Sequence, residues 1–466
     1  MRLLSLALVA LAACGGPSDD DTPTPAANND TDTNADADAD LTADSTAPTA
    51  DTGPELTVTT PEGPLAAQFD GQLVEADIWS PDPMILSAGV GFADIVGVDA
   101  PALTEDVVRD AGGAWSTAFG CGADLRSTTT TSLQSMVGLA FIQQLPTVGL
   151  RDDAIGLDGL PIVFSWPMDT RTLSLTDFEL TLSTGEVVAP QAVAPFPCAE
   201  QNERNVAVIF GEFANRLPST DPASRFPVRL EIVEDDTPLT LVGPGGRTVS
   251  AVGMTWETTT SPYDPDNGPR LVGAKLNHVG NDALGEGLGI PGSNLIVPPN
   301  DELLLYGEAD YRLRVLTSGG FSPDGVRGVL PTDFETFFRL HVDGSDGTPV
   351  IIDEVGVDVP VEGGTLRVLG LAELGAPEGP RVEYDGCYDE DLDNYIDIIL
   401  VGDEAAARSI THVEIPSLSG GYGAFYNPGG PGSTPFPGVV YTSPGPADME
   451  PVIIALDDPM RVTYTP

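Results

Sequence analysis

Apolar and polar residues alternate along much of the chain from Leu56 onward. In 178–183 (FELTLS) and 228–233 (VRLEIV) every second residue is apolar, and 311–317 (YRLRVLT) has the same pattern. A period of two is that of a β-strand with one face in a core and the other in solvent. These three segments therefore predict half-buried antiparallel strands, with Arg229 and Glu231 on the solvent side of the second one.

Many other short segments have the length and composition of strands. They are 206–210, 238–242, 302–306, 337–342, 349–352, 365–371, 395–401, 439–442 and 460–464. Turn pairs such as Thr184-Gly185 and Asn267-Gly268 separate them, and the 466 residues include 52 Gly and 43 Pro. Many short strands with frequent turns predict a mainly β protein built from two or three antiparallel β-sandwich domains.

Helical patterns are confined to the region before residue 150. Thr104 can cap a helix over 105–119, and Ser132 can cap a second one over 133–145, which Pro146 would end. We therefore expect a small N-terminal region with short core helices.

The first residues of the chain have the features of an export signal. Arg2 precedes an apolar run from Leu3 to Leu11, and no apolar run in the chain is long enough to span a bilayer. The run ends in Leu11-Ala12-Ala13-Cys14, which resembles the lipobox of bacterial lipoproteins. The resemblance implies cleavage before Cys14, diacylation of this cysteine as the new N-terminus and attachment to a membrane through the lipid. Gly15, in place of the aspartate that signals inner-membrane retention in that family, implies the outer membrane.

Acidic residues greatly outnumber basic residues in the chain. The chain has 71 acidic and 20 basic residues, a formal charge of -51, and one lysine, Lys275. Such a field repels nucleic acid, so a nucleic-acid partner is excluded, whereas basic or cationic partners are favoured. The same composition is also typical of halophilic proteins, so the acidity can equally be an adaptation to salt. The segment 16–55 is acidic and almost without large apolar residues, which predicts a disordered linker.

These patterns divide the chain into six parts. They are a signal peptide over 1–13, the lipidated Cys14 with its acidic linker over 14–55, a region with short helices over 56–155, an Ig-like β-sandwich over 156–260, a β domain over 261–345 and a C-terminal β domain with an acidic loop over 346–466.

One segment resembles a known family. Residues 161–185 are similar to the opening of the SbsA-type bacterial Ig-like domain, in which a strand ending in Phe-Ser precedes a Met-Asp turn and a second strand that begins at Phe. The matching residues are Ile162, Val163, Phe164, Ser165, Met168, Asp169, Phe178 and Gly185. The resemblance covers about residues 160–235, and it implies a structural or surface module rather than a catalyst.

Compact catalytic motifs are absent from the sequence. It contains no G-x-S-x-G, no H-E-x-x-H and no C-x-x-C, and its three histidines, His278, His341 and His412, are widely separated. A zinc or histidine-based site would have to be assembled from distant residues.

An acidic segment near the C-terminus is the best candidate for a ligand site. Asp389, Asp391 and Asp393 are spaced two residues apart, and Asp397 occupies the ninth place of a calcium-type loop. Alternating carboxylates on a curled loop can converge on one Ca²⁺ ion. Asn394 and Leu400 stand where an EF-hand has Gly and Glu, so this is not an EF-hand, and a solvated acidic turn is the alternative.

Export permits disulfide bonds between the three remaining cysteines. We expect Cys121 to pair with Cys198, since both lie outside the C-terminal strands, and Cys387 to be free or adjacent to the metal.

Two functions from different classes remain. The first is a lipid-anchored, non-catalytic envelope protein that displays β-sandwich domains for adhesion, scaffolding or ligand capture. The second is a secreted hydrolase, or its accessory subunit, with an active site assembled from scattered acidic residues. The lack of any compact catalytic motif favours the first.

Overall fold

A computed structural model describes much of the chain after residue 60. The described residues are 61, 63–88, 116–119, 126–128, 145–148, 157–279 except 196–199, 216, 218 and 262–269, 306, 309–318, 321–322, 333–377 except 373, 388–390, 394–416, 423–424 and 447–466. All of the described residues belong to one compact unit, Thr57–Pro466. This unit is mainly β, with several antiparallel sheets.

Thirteen of the strands that the structure describes lie before residue 260. They are β1 (Leu73–Asp77), β2 (Ile85–Ser87), β3 (Ser116–Phe119), β4 (Arg126–Thr128), β5 (Asp158–Phe164), β6 (Phe178–Leu182), β7 (Val187–Val188), β8 (Ala192–Ala194), β9 (Val206–Gly211), β10 (Pro227–Ile232), β11 (Thr240–Gly243), β12 (Arg247–Ser250) and β13 (Thr255–Glu257). Single-turn or slightly longer 3-10 helices lie at Gly63–Phe69, Thr170–Thr172, Leu175–Asp177 and Pro244–Gly246.

Among the described residues that follow, there are fifteen strands and two short helices. The strands are β14 (Leu271–His278), β15 (Tyr311–Thr317), β16 (Phe321–Ser322), β17 (Arg339–Asp343), β18 (Pro349–Ile352), β19 (Val359–Val361), β20 (Gly364–Ala372), β21 (Leu374–Pro377), β22 (Tyr388–Glu390), β23 (Tyr395–Gly402), β24 (Ile410–Ile415), β25 (Gly423–Ala424), β26 (Asp448–Pro451), β27 (Ile453–Ile454) and β28 (Arg461–Tyr464). The helices are α1 (Phe334–Phe337) and α2 (Glu404–Ala407).

Two four-stranded sheets surround the first hydrophobic core. Their strand orders are β2-β5-β9-β8 and β13-β10-β6-β7. Side chains from both sheets meet in this core, for example Ile162 and Ile209 from one sheet and Leu180 and Leu230 from the other. The apolar face of each sheet is thereby removed from water.

A six-stranded and a four-stranded sheet surround the second core. Their strand orders are β19-β20-β23-β15-β14-β27 and β18-β17-β24-β26. Leu313 and Ile398 from the larger sheet pack in the same core as Leu340 and Val413 from the smaller. Strands from the predicted segments 261–345 and 346–466 therefore share sheets, although the domain boundaries themselves stay predictions.

The first and last strands of the described unit pair with each other. β1 runs antiparallel to β28, with Leu73 opposite Tyr464 and Asp77 opposite Arg461. Leu73 and Val462 both belong to the first core, so β28 packs in the same core as β1. This pairing places Asp77 and Arg461 side by side.

The alternation of apolar and polar residues correctly predicted three strands, but for one of them it wrongly predicted a solvent-exposed face. In β6 and β10 the apolar positions are buried, except for the half-buried Val228, and Glu179, Arg229 and Glu231 are at least partly exposed, as predicted. β15 is also a strand, but the expectation of a solvent face is wrong, because all seven of its residues are buried. Its two arginines lie against other parts of the protein instead of water.

The predicted helix over 105–119 is wrong at its C-terminal end. Ser116–Phe119 forms β3, which pairs with β4. Residues such as Thr and Phe favour the extended backbone, and strand pairing supplies the hydrogen bonds that a helix would have made. Most of this helix and nearly all of the one predicted over 133–145 lie outside the described residues.

Asp177 combines a structural role with an unusual titration. It closes a capping box with Ser174, and its carboxylate accepts hydrogen bonds from the backbone N–H groups of Ser174 (2.6 Å) and Leu239 (3.1 Å). Burial, together with the negative charge of Asp235, raises the pKa of Asp177 to about 8 despite these hydrogen bonds.

This raised pKa predicts a specific pH dependence of stability. The unfolded carboxyl has a pKa of about 4, so between about pH 4 and pH 8 the folded state holds the extra proton and becomes less stable as the pH rises. In Asp177→Asn the free energy of unfolding should fall less steeply over this range, by up to about 1.4 kcal/mol per pH unit. Urea unfolding of both proteins at pH 5 and pH 8 checks this, and an identical pH dependence in the two would contradict it.

Candidate functional site

The face of the six-stranded sheet that points away from the second core carries charged side chains. Strand alternation places Leu313 in the core, and Lys275, Arg312, Arg314 and Asp397 on the opposite face. All four charged residues are nevertheless buried. The second face of this sheet is therefore covered by protein, and its charges must be neutralised there.

Strand register aligns three of these residues in one row. Lys275 on β14 lies opposite Arg314 on β15, which lies opposite Asp397 on β23. Two like charges directly opposite each other destabilise a sheet unless counter-charges are close. The pair Lys275 and Arg314 therefore requires carboxylates in addition to Asp397.

Asp77, at the end of β1, supplies one of these carboxylates. Lys275 Nζ donates a hydrogen bond to Asp77 Oδ1, while Arg314 Nη1 lies 3.3 Å from Asp77 Oδ2. Arg461 Nε, from the paired strand β28, lies 3.3 Å from Asp77 Oδ1. One carboxylate thus contacts three cationic side chains from three strands.

Arg314 also binds two further carboxylates. Its Nε and Nη2 donate to the two oxygens of Asp397 at 2.8 and 2.9 Å, the bidentate geometry in which a guanidinium binds a carboxylate most strongly. Its Nη1 lies 2.6 Å from Glu203 Oε1, just before β9. We call Asp77, Glu203, Lys275, Arg312, Arg314, Asp397 and Arg461 the ion cluster.

Two aromatic rings pack against the cations of the ion cluster. Lys275 Nζ lies 5.2 Å from the ring centroid of Trp79, and the Arg314 guanidinium lies 5.0 Å from that of Tyr395. Both distances are within the range of cation–π attraction. Gly273 leaves room for Trp79, because a Cβ at that position would lie 2.7 Å from the indole ring.

The charges of the ion cluster strongly perturb its pKa values. Burial opposes ionisation of Asp77 and Asp397, but the neighbouring cations outweigh it and hold both pKa values below the ordinary range. Burial also lowers the pKa of Lys275 to about 8, with Asp77 opposing and Arg461 reinforcing the shift. Both carboxylates therefore stay ionised at neutral pH, held by the surrounding cations.

The ion cluster connects the regions around the two cores. Asp77 and Glu203 belong to the region of the first core, whereas Lys275, Arg314 and Asp397 come from the sheet that covers the second. Removing one partner of a buried ion pair typically costs about 3–5 kcal/mol, because the other charge stays buried. The charged side chains of this site neutralise one another. The relative position of the two regions therefore depends on matching their charges.

Of the predicted metal ligands, the structure fully describes Asp397. Its carboxylate binds Arg314 and Arg312 inside the protein. The backbone of Asp389 lies in β22, and Asp391 and Asp393 lie outside the described residues. Calcium binding by this segment stays a prediction, and among the described residues no three metal-ligating side chains converge on a common point.

The four cysteines also lie outside the described residues. Lipidation of Cys14, the pairing of Cys121 with Cys198 and a free Cys387 therefore stay predictions.

Sequence patterns did not identify the ion cluster. Lys275 lies on β14, which was not predicted because Gly, Lys and Asn interrupt its apolar residues. Its uniqueness was one available signal: a single lysine among so many acidic residues, flanked by Ala and Leu, is unusual on a solvated surface. The burial of Arg312 and Arg314 depends on distant chain segments that no local pattern contains.

Comparisons with known proteins give no relative. No family model, curated protein or solved structure matches the chain. In the part of the chain that the structure describes, no helix has the length and apolar character required to cross a membrane.

The burial of the only lysine predicts its chemical reactivity. In the folded protein, acetylation of Lys275 by an amine-reactive ester should be more than about 100-fold slower than in guanidinium, because it requires opening of the structure. The lowered pKa increases the fraction of neutral, reactive amine, so a slow reaction can only come from burial. Mass spectrometry of the peptide containing Lys275 measures this, and equal rates in the two conditions would contradict the structure.

Proposed function

We propose that the chain is a lipid-anchored, non-catalytic protein of the bacterial cell envelope, attached to the outer membrane through Cys14. It displays Ig-like β-sandwich domains for adhesion, scaffolding or ligand capture. The observation that carries this proposal is the lipobox-like Leu11-Ala12-Ala13-Cys14 directly after an apolar run, followed by an acidic spacer. Two acyl chains provide stable anchoring where one provides only marginal binding.

The organisation of the chain supports this proposal. The compact unit that contains the described residues begins at Thr57, two residues after the acidic segment 16–55. A spacer of this composition repels itself and extends, which holds a folded unit at a distance from the membrane. An anchor, a spacer and a β-rich unit in this order suit a protein that presents its surface to other molecules.

The ion cluster favours display over hydrolysis. Its three carboxylates, Asp77, Glu203 and Asp397, come from distant parts of the sequence, as a dispersed acidic active site would require. Each has a side chain only 1% exposed and is bound to a guanidinium, so a water-soluble substrate has no access to it. These acids stabilise the structure and are unsuited to general acid–base catalysis on such a substrate.

The role of Cys14 is tested by Cys14→Ala expressed in a bacterial host with the natural leader. The chain with Cys14 should incorporate labelled palmitate and sediment with membranes, whereas the variant should do neither, because the cysteine that carries the lipid is missing. Cys387→Ala makes the same chemical change outside the lipobox and should behave like the unmodified chain.

Either of two results would contradict the anchor. One is palmitate incorporation or membrane association that persists in Cys14→Ala. The other is secretion of the chain with Cys14 in a form that carries no lipid.

A further inference from the structure

Strand β18 lies at one edge of the four-stranded sheet that covers the second core. It pairs with β17, and no strand that the structure describes pairs with its other side. In an antiparallel pair, residues that bond to the neighbouring strand alternate with residues whose N–H and C=O groups point away from it. The groups of β18 that point away from β17 are therefore available to a further strand.

Two backbone hydrogen bonds identify the residue of β18 that faces outward. At the turn between the two strands, the Gly344 N–H donates to the Thr348 carbonyl oxygen (2.9 Å). On the other side of β17, the Asp343 N–H donates to the Ser409 carbonyl oxygen (3.0 Å). Even-numbered residues from 340 to 344 thus bond to β18, and odd-numbered ones to β24. Because Ile351 lies opposite an odd-numbered residue of β17, its N–H and C=O point to the outer edge.

The residue at this outward position suits the addition of a strand. Ile351 keeps a backbone donor and acceptor, and it is 51% exposed, which is unusual for a large apolar residue. At the edge of the six-stranded sheet, the equivalent outward position of β19 is Pro360, which has no N–H to donate. β18 therefore retains a hydrogen-bond donor that β19 lacks.

Acidic side chains lie on both sides of this edge. Asp346 is in the turn before β18, Asp353 and Glu354 follow the strand directly, and all three are exposed. Arg339 Nε lies 3.9 Å from Asp353 Oδ2, too far for a strong ion pair. A second copy of the chain would bring the same negative charges to this edge, which opposes self-pairing. A strand that carries basic residues is attracted to it instead.

We propose that the outer edge of β18 binds an extended segment of another protein by strand addition, and that basic residues flank an apolar one in this segment. The backbone of the segment exchanges hydrogen bonds with Ile351, and its apolar side chain packs on that of Ile351. Its basic side chains lie near Asp346 and Asp353. This inference rests on the proposed display function, because it names the class of ligand that the displayed unit captures.

The test measures peptide binding to the chain from residue 14 onward with Cys14→Ala, so that no lipid takes part. The probe is a fluorescein-labelled peptide of alternating Lys and Val, and its fluorescence anisotropy is followed in about 0.1 M NaCl, which screens distant charges. A second peptide of the same charge has Pro at its central Val and cannot add as a strand. We expect the first peptide to bind at least roughly tenfold more tightly than the second.

Variants of the chain locate the binding edge. Ile351→Pro removes the outward N–H without removing a hydrogen bond to β17, so it should abolish the difference between the two peptides. Val187→Pro is the matched control, because Val187 is a 56% exposed residue of another edge strand, β7, and should leave the difference unchanged. Ile351→Lys replaces Ile351→Pro if the latter is unfolded in its circular dichroism spectrum, since a positive charge there repels the basic peptide.

Three outcomes overturn the proposal. The first is equal binding of the two peptides to the chain with Ile351, which would mean that charge alone attracts them. The second is a difference that persists in the folded variant at position 351 or is lost in Val187→Pro. The third is a dimer in analytical ultracentrifugation that dissociates in this variant, which would make a second copy the occupant. Since Cys14 is absent throughout, strand binding and the lipid anchor can fail separately.

Discussion

Arg314 lies inside the protein, and its guanidinium contacts carboxylates from three separate parts of the chain, Asp77, Glu203 and Asp397. A buried charge without a partner is very costly, so these contacts have to form together for β15 to occupy its central place in the six-stranded sheet. The hydrophobic effect makes each core compact, but it is not directional. The ion cluster fixes how the two regions are oriented, because its hydrogen bonds form only when the regions that supply them are in one relative position.

The ends of the described unit depend on the same constraint. β1 and β28 pair with each other and bring Asp77 and Arg461 to the sheet that carries Lys275 and Arg314. Distant chain segments therefore meet around one set of charges. For a protein held by one end on an acidic spacer, as we propose, such a connection keeps the displayed surface in a fixed geometry.

Local patterns predicted many of the strands because period-two alternation has a local physical cause. FELTL and VRLEI have one apolar and one solvated face, and the structure agrees. The same pattern in YRLRVLT has another origin, since Arg314 on its second face binds carboxylates 83 and 237 residues away in sequence. Strand register likewise places His341 opposite His412. Partners of this kind follow from topology, which the alternation of a single strand does not determine.

Calorimetry of Arg314→Met tests the central claim most directly. If the ion cluster couples the two cores, the unmodified protein unfolds in one transition, and the variant loses about 3–5 kcal/mol and separates into two transitions. Arg229→Met is the control, because Arg229 pairs with Glu231 and Glu257 at the surface, where water and salt screen the charges, and should change the stability little. A single transition in Arg314→Met, with a loss no larger than in the control, would contradict the account.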